Sequence, residues 1–296
     1  MKLAVLSDIH GNLPALEAVA DDITRWDPDT VVVNGDVVNG GPRSDLCWQF
    51  VRERQQEDGW LVLRGNHEEY VTAWSRPGEP TEGPLYDLSR LSHWTYGQMG
   101  SEVAELMDLP ERWSWIAPNG ERLTTMHASR LGIRRGIYPH TTDNDVRRMI
   151  DPEAAVFVTA HTHGPHLRRV VGTQVVNIGS VGLSGDGDQR AAYGRIVWSE
   201  TRGWEACAWR VAYDVSAAEQ MYLDSGFVAE AGPLALMTLV ELRTARDAKT
   251  RWSAVYREPV LKGEISVAEA VETFLDTPEF QPYWTTEAYF LRTANY

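Results

Sequence analysis

Seven side chains with oxygen or nitrogen donors stand at the ends of short apolar runs: Asp8, His10, Asp36, Asn66, His127, His161 and His163. Asp8 and His10 are two apart, as are His161 and His163, so on an extended backbone each pair points one way. Alone, Asp8-Ile9-His10 reads as a turn; the recurrence of ligand types at five separate run ends makes a turn a poor account of all of them. Seven N and O donors are too many for one small divalent ion and suit two. Two ions roughly 3.5–4 Å apart clamp the attacking and leaving oxygens of an in-line displacement. A carboxylate, with two oxygens and a negative charge, is the natural bridge between them. A mixed imidazole and carboxylate set suits manganese, iron or zinc better than magnesium or calcium, and manganese is the ion expected here. Such ions lower the pKa of a bridging water and give hydroxide near neutral pH. Phosphate esters are the fitting electrophile, because two cations neutralise the charge on phosphoryl oxygens. His67 stands apart from the seven. It follows Asn66, points away from the ion that Asn66 would hold, and from one step outside would protonate a leaving alkoxide or stabilise the transferring group.

These donors need strands that end at one edge. Leu3-Ala4-Val5-Leu6 reads as a buried parallel strand, and a helix over 13–26 follows, with Leu13, Leu16, Val19, Ala20 and Ile23 on one face. Thr30-Val31-Val32-Val33 is the next strand, closed by Asn34-Gly35-Asp36. Asp8 and Asp36 are about thirty residues apart, the length of one βαβ unit, and a right-handed crossover sets them at the same edge. A helix from Ser44 to about Gln55 and a strand over 60–63 repeat the pattern, ending in Arg64-Gly65-Asn66-His67-Glu68-Glu69. Residues 68–107 are helical and broken by a loop over 74–80, with His93 a packed or surface residue. Asn119-Gly120 marks a hairpin between strands 113–117 and 121–126, the second ending in His127. A short helix over 143–150, a strand over 155–160, a hairpin about Gly172-Thr173 and a last strand pair over 191–199 and 204–211 complete the pattern.

The net charge of −14 argues against nucleic-acid polymers and anionic membranes as partners, since both need a basic surface. It leaves a phosphorylated small molecule open, because a local metal site overrides the global field. The two cysteines, Cys47 and Cys207, lie far apart, which suits a reducing, cytoplasmic setting. No signal peptide is recognisable, and no apolar run is long enough to cross a bilayer. The twelve tryptophans are spread along the chain and are expected to pack between elements.

Ser7-Asp8-Ile9-His10-Gly11-Asn12, Gly35-Asp36, Arg64-Gly65-Asn66-His67-Glu68, His127 and Ala160-His161-Thr162-His163 resemble, in order and spacing, the signature blocks of the calcineurin-like metallophosphoesterases. Asn177-Ile178-Gly179-Ser180-Val181-Gly182 resembles a block of the bacterial and archaeal branch that is similar to small phosphodiesterases. Leu63 to Glu68 also resembles the Ser/Thr protein phosphatase branch, but that branch has Asp-Arg-Gly where this chain has Asn39-Gly40-Gly41, which speaks against protein phosphatase activity. Ala160 replaces a usual glycine. The resemblance spans about residues 1–214. It implies an α/β fold: a two-sheet β-sandwich flanked by helices, with a dinuclear metal site at strand ends. It also implies that Asp8, His10 and His163 hold one ion, that Asn66, His127 and His161 hold the other, that Asp36 bridges them, and that His67 is the catalytic histidine.

The expected function is hydrolysis of a small phosphorylated molecule or nucleotide, a mono- or diester, by a metal-bridging hydroxide. Dinucleoside polyphosphate cleavage and a Ser/Thr phosphatase-like activity are the enzymatic alternatives. A scaffold of the same fold, as in a retromer subunit, is the non-enzymatic one, and it is disfavoured because the donor set is complete. Arg43, Arg64 and Arg130 are the cations expected to bind substrate, with Arg134 and Arg135 close behind; ordinary ion pairs or a solvated loop are the plain alternatives. His140 and His166 are expected on loops or the surface. Residues 215–296 are expected as a helical extension, with helices over 216–225, 233–248 and 266–275 and an aromatic end at Tyr283, Trp284, Tyr289, Phe290 and Tyr296. Left free, such a tail would expose a large apolar patch. It is expected to pack on the sandwich, and more sharply to wall the substrate cleft or to join a second copy of the chain.

Overall fold

The computed structural model describes residues 1–284; Tyr289, Phe290 and Tyr296 of the aromatic end lie outside the described residues. The chain runs β1 (Lys2–Leu6), α1 (Leu13–Trp26), β2 (Thr30–Asn34), α2 (Ser44–Glu57), β3 (Leu61–Leu63), α3 (Asn66–Ala73), α4 (Pro84–Met99), α5 (Val103–Met107), β4 (Arg112–Ile116), β5 (Arg122–Met126), α6 (Asp143–Met149), β6 (Ala154–Thr159), β7 (His166–Val170), β8 (Thr173–Asn177), β9 (Ala191–Ser199) and β10 (Gly203–Val211). Five helices follow: α7 (Val215–Asp224), α8 (Phe227–Glu230), α9 (Leu234–Thr244), α10 (Ala248–Leu261) and α11 (Val267–Leu275). The strands form two sheets, ordered β10-β9-β1-β2-β3 and β4-β5-β6-β8-β7. This is the expected two-sheet sandwich with helices outside.

Alternation along β1 shows how the layers are made. Leu3 and Val5 point inward, where they meet Val32 and Leu63 of their own sheet and Leu123, Val156, Val158 and Val176 of the other. Ala4 and Leu6 point outward onto Leu16, Val19 and Ile23 of α1 and Val51 of α2. The second sheet buries its outer face too, with Phe157 and Val175 against Val146, Met149 and Ile150. Strands covered on both faces have no polar side, which is why their sequences are near-continuous apolar runs.

In the first sheet β1, β2 and β3 are mutually parallel, and in the second β5, β6 and β8 are. Their carboxyl ends carry every expected metal ligand. The loops leaving those ends are bonded to one another. Main-chain N–H groups of Ile9 and His10 donate to the Asp36 carbonyl at 2.8 and 3.1 Å, and Gly11 donates to Val37 at 3.1 Å. The loop after β8 lies on the loop after β1, with Val181 and Gly182 donating to the carbonyls of Ser7 and Asp8 at 3.0 and 2.9 Å. Asn34 joins the two sheets: its side-chain amide donates to the Met126 carbonyl at 3.0 Å, and its own carbonyl accepts from His127 Nδ1 at 2.9 Å.

The C-terminal helices build a second apolar cluster. Tyr222, Phe227, Leu236, Leu239, Trp252, Val271 and Phe280 pack together and include Leu91 of α4 and Leu183 of the β8 loop. Every residue of α9 from Ala235 to Leu242 is buried, so this helix is the centre of that cluster. The expected helix over 233–248 is in fact two elements: α9 ends at Thr244, Ala245 adopts a left-handed conformation, and α10 starts at Ala248 on an Asp247 cap. No helix among the described residues is long and apolar enough to cross a membrane.

The loop contacts predict one sensitive position. A Cβ at Gly182 would stand 1.8 Å from the Ile9 carbonyl oxygen. Gly182→Ala should therefore force the β1 and β8 loops apart and destabilise the protein by about 1–3 kcal/mol. Chemical denaturation measures this, and an unchanged midpoint would show that the two loops are not held in this register.

Candidate metal centre

Three groups of donors converge at the shared strand edge: Asp8, His10 and His163; His10, Asp36 and His67; and Asp36, His127 and His161. Within each group all ligand atoms lie within 4.8 Å of one another. The groups interlock through His10 and Asp36. His163 Nε2 is 3.3 Å from Asp8 Oδ1 and 3.1 Å from His10 Nε2. His127 Nε2 is 3.2 Å from Asp36 Oδ2, 3.0 Å from Asn66 Oδ1 and 3.3 Å from His161 Nδ1. All seven expected donors are thus brought together.

The surrounding backbone sets which nitrogen each imidazole presents. His10 Nδ1 donates to the Asn39 carbonyl at 2.8 Å and His127 Nδ1 to the Asn34 carbonyl at 2.9 Å, so in the neutral ring each Nε2 is left as a lone pair facing the site. Lone pairs at 3 Å repel unless a proton or cation lies among them. Asp8 Oδ1 is buried and accepts no hydrogen bond. Converging lone pairs beside an unsatisfied carboxylate oxygen are the donor chemistry of divalent cations, and the N and O set fits such ions without soft sulfur ligands.

The charges lead to the same reading. Burial raises the Asp36 carboxyl, but the imidazoles of His127, His67 and His10 outweigh it and hold it well below the usual range. Asp8 is held low in the same way, against burial, chiefly by His163. Burial would lower His127, yet Asp36 overrides it and pushes the imidazole up to about 10. His161 goes down to about 4 through burial and the neighbouring His127. Two buried carboxylates demand positive charge, and the shifts of the carboxylates and of the imidazoles facing them answer that demand.

Backbone conformation is unusual here as well. Asp8, His10, Asp36, His161 and His163 all have φ between 52° and 67°, a region that costs non-glycine residues energy and that clusters at functional sites. Asn39 shares it, at φ 64°. In the stretch where the protein phosphatase branch would carry an arginine, Asn39 instead holds His10, and a Cβ on Gly41 would meet the His10 carbonyl oxygen at 2.1 Å.

Glu68, buried in the first turn of α3, holds two of the loops in place. Its carboxylate accepts the main-chain N–H groups of Asp36 at 2.8 Å, Val37 at 2.7 Å, Val38 at 3.3 Å and Gly65 at 2.8 Å. The bond to Gly65 is half of a capping box; the other three reach across to the β2 loop. Burial and the nearby Asp36 charge raise its carboxyl to about 7. The motif that placed Glu68 next to His67 did not reveal this role, because three of its four partners are main-chain groups about thirty residues away.

The centre forms the floor of a cleft of about 840 Å³. Asp36, Asn66, His67, His161 and His163 reach it from the floor, and Tyr70, Trp74, Leu85 and Leu88 from one side. Leu234, Glu241, Lys249, Trp252, Ser253 and Arg257 of α9 and α10 form another wall. Three expected substrate cations are not there. Arg43 is bound by Asp45 through two hydrogen bonds at 3.1 and 3.0 Å, Arg64 is paired with Glu111, and Arg130 is exposed outside the cleft. Each charge is spent locally or faces solvent. Arg134 does line the cleft, stacked over Tyr70 at 4.7 Å and paired with Glu69 at 2.9 Å. His93 and His140 do not reach the cleft; they pack against Trp74 and Tyr138.

A model of the calcineurin-like phosphoesterase family matches residues 1–165. Over 72 residues, 22% of this chain, the sequence is 48% identical to phosphodiesterase YfcE of Escherichia coli, and the match spans only 39% of that relative's length. An uncharacterised protein of Methanocaldococcus jannaschii is 26% identical over 234 residues, covering 73% of this chain and 89% of its own. Among solved structures, a metallophosphoesterase from Sphaerobacter thermophilus superposes with a TM-score of 0.63 at 24% identity, covering 83% of this chain and 100% of that one. The last comparison speaks to the fold alone.

Glu68 gives this site a test independent of turnover. Glu68→Ala would leave the buried N–H groups of Asp36, Val37 and Gly65 without acceptors. At about 1–3 kcal/mol for each unsatisfied group, a loss of roughly 3 kcal/mol or more is expected. Denaturant unfolding of the metal-free protein reads it directly. A change below about 1 kcal/mol would mean that the two loops hold their shape without the carboxylate.

Proposed function

The chain belongs to the calcineurin-like phosphoesterase family, and we propose that it is a metal-dependent hydrolase of a small phosphorylated molecule, a mono- or diester of about nucleotide size. The observation that carries this reading is the interlocked donor groups, with Asp36 in two of them, at the floor of a cleft of about 840 Å³. Cavities of that size are typical for small-molecule ligands. In this reading residues 1–214 are the hydrolase body and 215–296 an extension, whose helices α9 and α10 close one side of the cleft.

Asp8, His10 and His163 would hold one divalent ion and Asn66, His127 and His161 a second, with Asp36 between them and manganese the favoured metal. Bound there, the ions would supply Lewis acidity that ionises a water near neutral pH and offsets charge on the phosphoryl oxygens. The chain itself does the rest. Carbonyls of Asn34 and Asn39 fix the ring orientations of His127 and His10. Glu68 fixes the main chain of Asp36, and the His67 N–H donates to Asp36 Oδ1 at 2.8 Å. That anchor sets the His67 imidazole in the cleft, edge-on to His10 with ring centres 4.6 Å apart. From there its N–H serves the ester oxygen of the leaving group. The apolar side of Tyr70, Trp74 and Leu88 receives the organic part of the substrate and limits access of bulk water.

Two outcomes follow. Asp36→Asn should lower bound metal at both positions, because the carboxylate belongs to both donor sets. Elemental analysis of the purified variant checks it, and an undiminished content of two ions per chain would remove Asp36 as the shared ligand. The activity itself is tested with a panel of nitrophenyl and alkyl phosphate mono- and diesters plus manganese. At least one class should turn over, and no turnover of any member would overturn the hydrolase reading. On the active class, His67→Ala should slow turnover by roughly 10²–10⁴-fold for alkyl esters and less for nitrophenyl esters, whose leaving group needs little protonation. Equal losses on both would exclude His67 from leaving-group protonation.

A further inference from the structure

The wall contributed by α9 and α10 carries cations that the hydrolase reading does not use. Lys249, Ser253 and Arg257 are spaced by four on α10, so they lie along one face of that helix, and all three line the cleft. Lys249 is held by Glu241 of α9, a carboxylate only 4% exposed that accepts the Lys249 main-chain N–H at 2.7 Å and faces its Nζ at 3.4 Å. The pairing leaves ammonium N–H donors uncommitted among the described residues. Arg257 has no ion-pair partner among the described residues, whereas the other cleft arginines do: Arg134 is bound to Glu69 and Arg246 to Glu279.

The segment is also fixed in place. Gly187 N–H donates to the Ala245 carbonyl at 2.8 Å, and the Gln189 side chain donates to the carbonyls of Leu242 and Arg243 at 3.2 and 2.9 Å. The turn between α9 and α10 is thereby tied to the same loop that packs on Asp8.

In a chain whose 42 acidic side chains outnumber its 28 lysines and arginines, two cations with uncommitted donors face the cleft from one helix. In the hydrolase reading the reacting phosphoryl group is taken at the floor, and the cavity of about 840 Å³ is far larger than one phosphate. We propose that Lys249 and Arg257 bind a second phosphate of the substrate, one that does not react, so that the preferred substrates are small molecules with two phosphates. Glu241 is the positioning residue that keeps the Lys249 ammonium aimed into the cleft. This deepens the hydrolase reading and rests on it.

The test uses the full chain loaded with manganese and compares two probes, adenosine 5′-monophosphate and adenosine 3′,5′-bisphosphate, as competitors of a nitrophenyl ester at initial rate. The bisphosphate should inhibit at roughly tenfold or more lower concentration, the worth of one charge-assisted hydrogen bond. In Lys249→Met and in the Lys249→Met/Arg257→Met double variant that ratio should fall towards one, and Lys249→Arg should restore it. Because the readout is a ratio within each variant, a change in overall activity does not imitate it. Equal inhibition by both probes in the unaltered protein, or a ratio that survives the double substitution, would overturn the proposal. Calorimetric titration with the same probes needs no turnover: a preference for the bisphosphate without hydrolysis of any ester sinks the hydrolase reading alone, and hydrolysis without that preference sinks this one.

Discussion

Two carboxylates buried in a protein interior cannot keep their charge unless positive charge comes to them, and Asp8 and Asp36 are both essentially inaccessible. Much of the arrangement around them follows from that constraint. Imidazoles arrive from the ends of β1, β5 and β6, and one of them, His127, is driven up to about 10 by Asp36 against the opposing effect of burial. When such a ring is neutral, an Nδ1 tied to a carbonyl, as in His10 and His127, leaves the Nε2 lone pair facing inward. Such a set satisfies divalent cations better than it satisfies itself.

Bringing groups from two sheets to one point needs loops that turn sharply and touch. The left-handed conformations of Asp8, His10, Asp36, His161 and His163 place each ligand just past its strand end. Contacts of Gly41, Gly65 and Gly182 with His10, Asp36 and Ile9 leave no room for a side chain. Strain of this kind persists only where the surroundings over-determine it. Here the determinants are the hydrogen bonds of Glu68, Ser180 and Asn34, each bridging segments far apart in sequence.

What the sequence disclosed and what it hid divide along local and long-range physics. The apolar runs of β1, β2 and β6 and the donors that close them are local patterns, and the ligand edge was legible from them; the two-sheet sandwich came only with the resemblance of the motifs to the metallophosphoesterases. The helix α10 was not foreseen, although Asp247 is a good cap and Trp252, Tyr256 and Val260 are spaced by four; Pro259 inside it masks the pattern. The division of α9 from α10 rests on the left-handed turn at Ala245, which alanine gives no reason to expect. Arg43, Arg64 and Arg130 looked available because ion pairs with Asp45 and Glu111, or placement outside the cleft, cannot be read from neighbouring letters. Lys249 went unnoticed for the converse reason: only the fold sets it opposite residues such as His163, nearly ninety positions earlier.

The position of the C-terminal helices bears on how this family fold becomes a particular enzyme. A metal site at the open edge of a sandwich defines a reaction and says little about what reacts, since its ligands see only a phosphoryl group. Selectivity must come from whatever stands over the edge. Here that is α4 on one side and α9 with α10 on the other, joined through the shared packing of Leu91, Leu183 and Trp252. The buried, featureless helix α9 provides the rigid base, and α10, polar along one face, is displayed from it toward the cleft. A helix that spends its apolar side on the extension's own core turns its charged side to the cleft. In the proposed reading the extension chooses the molecule, while the strand ends keep the chemistry.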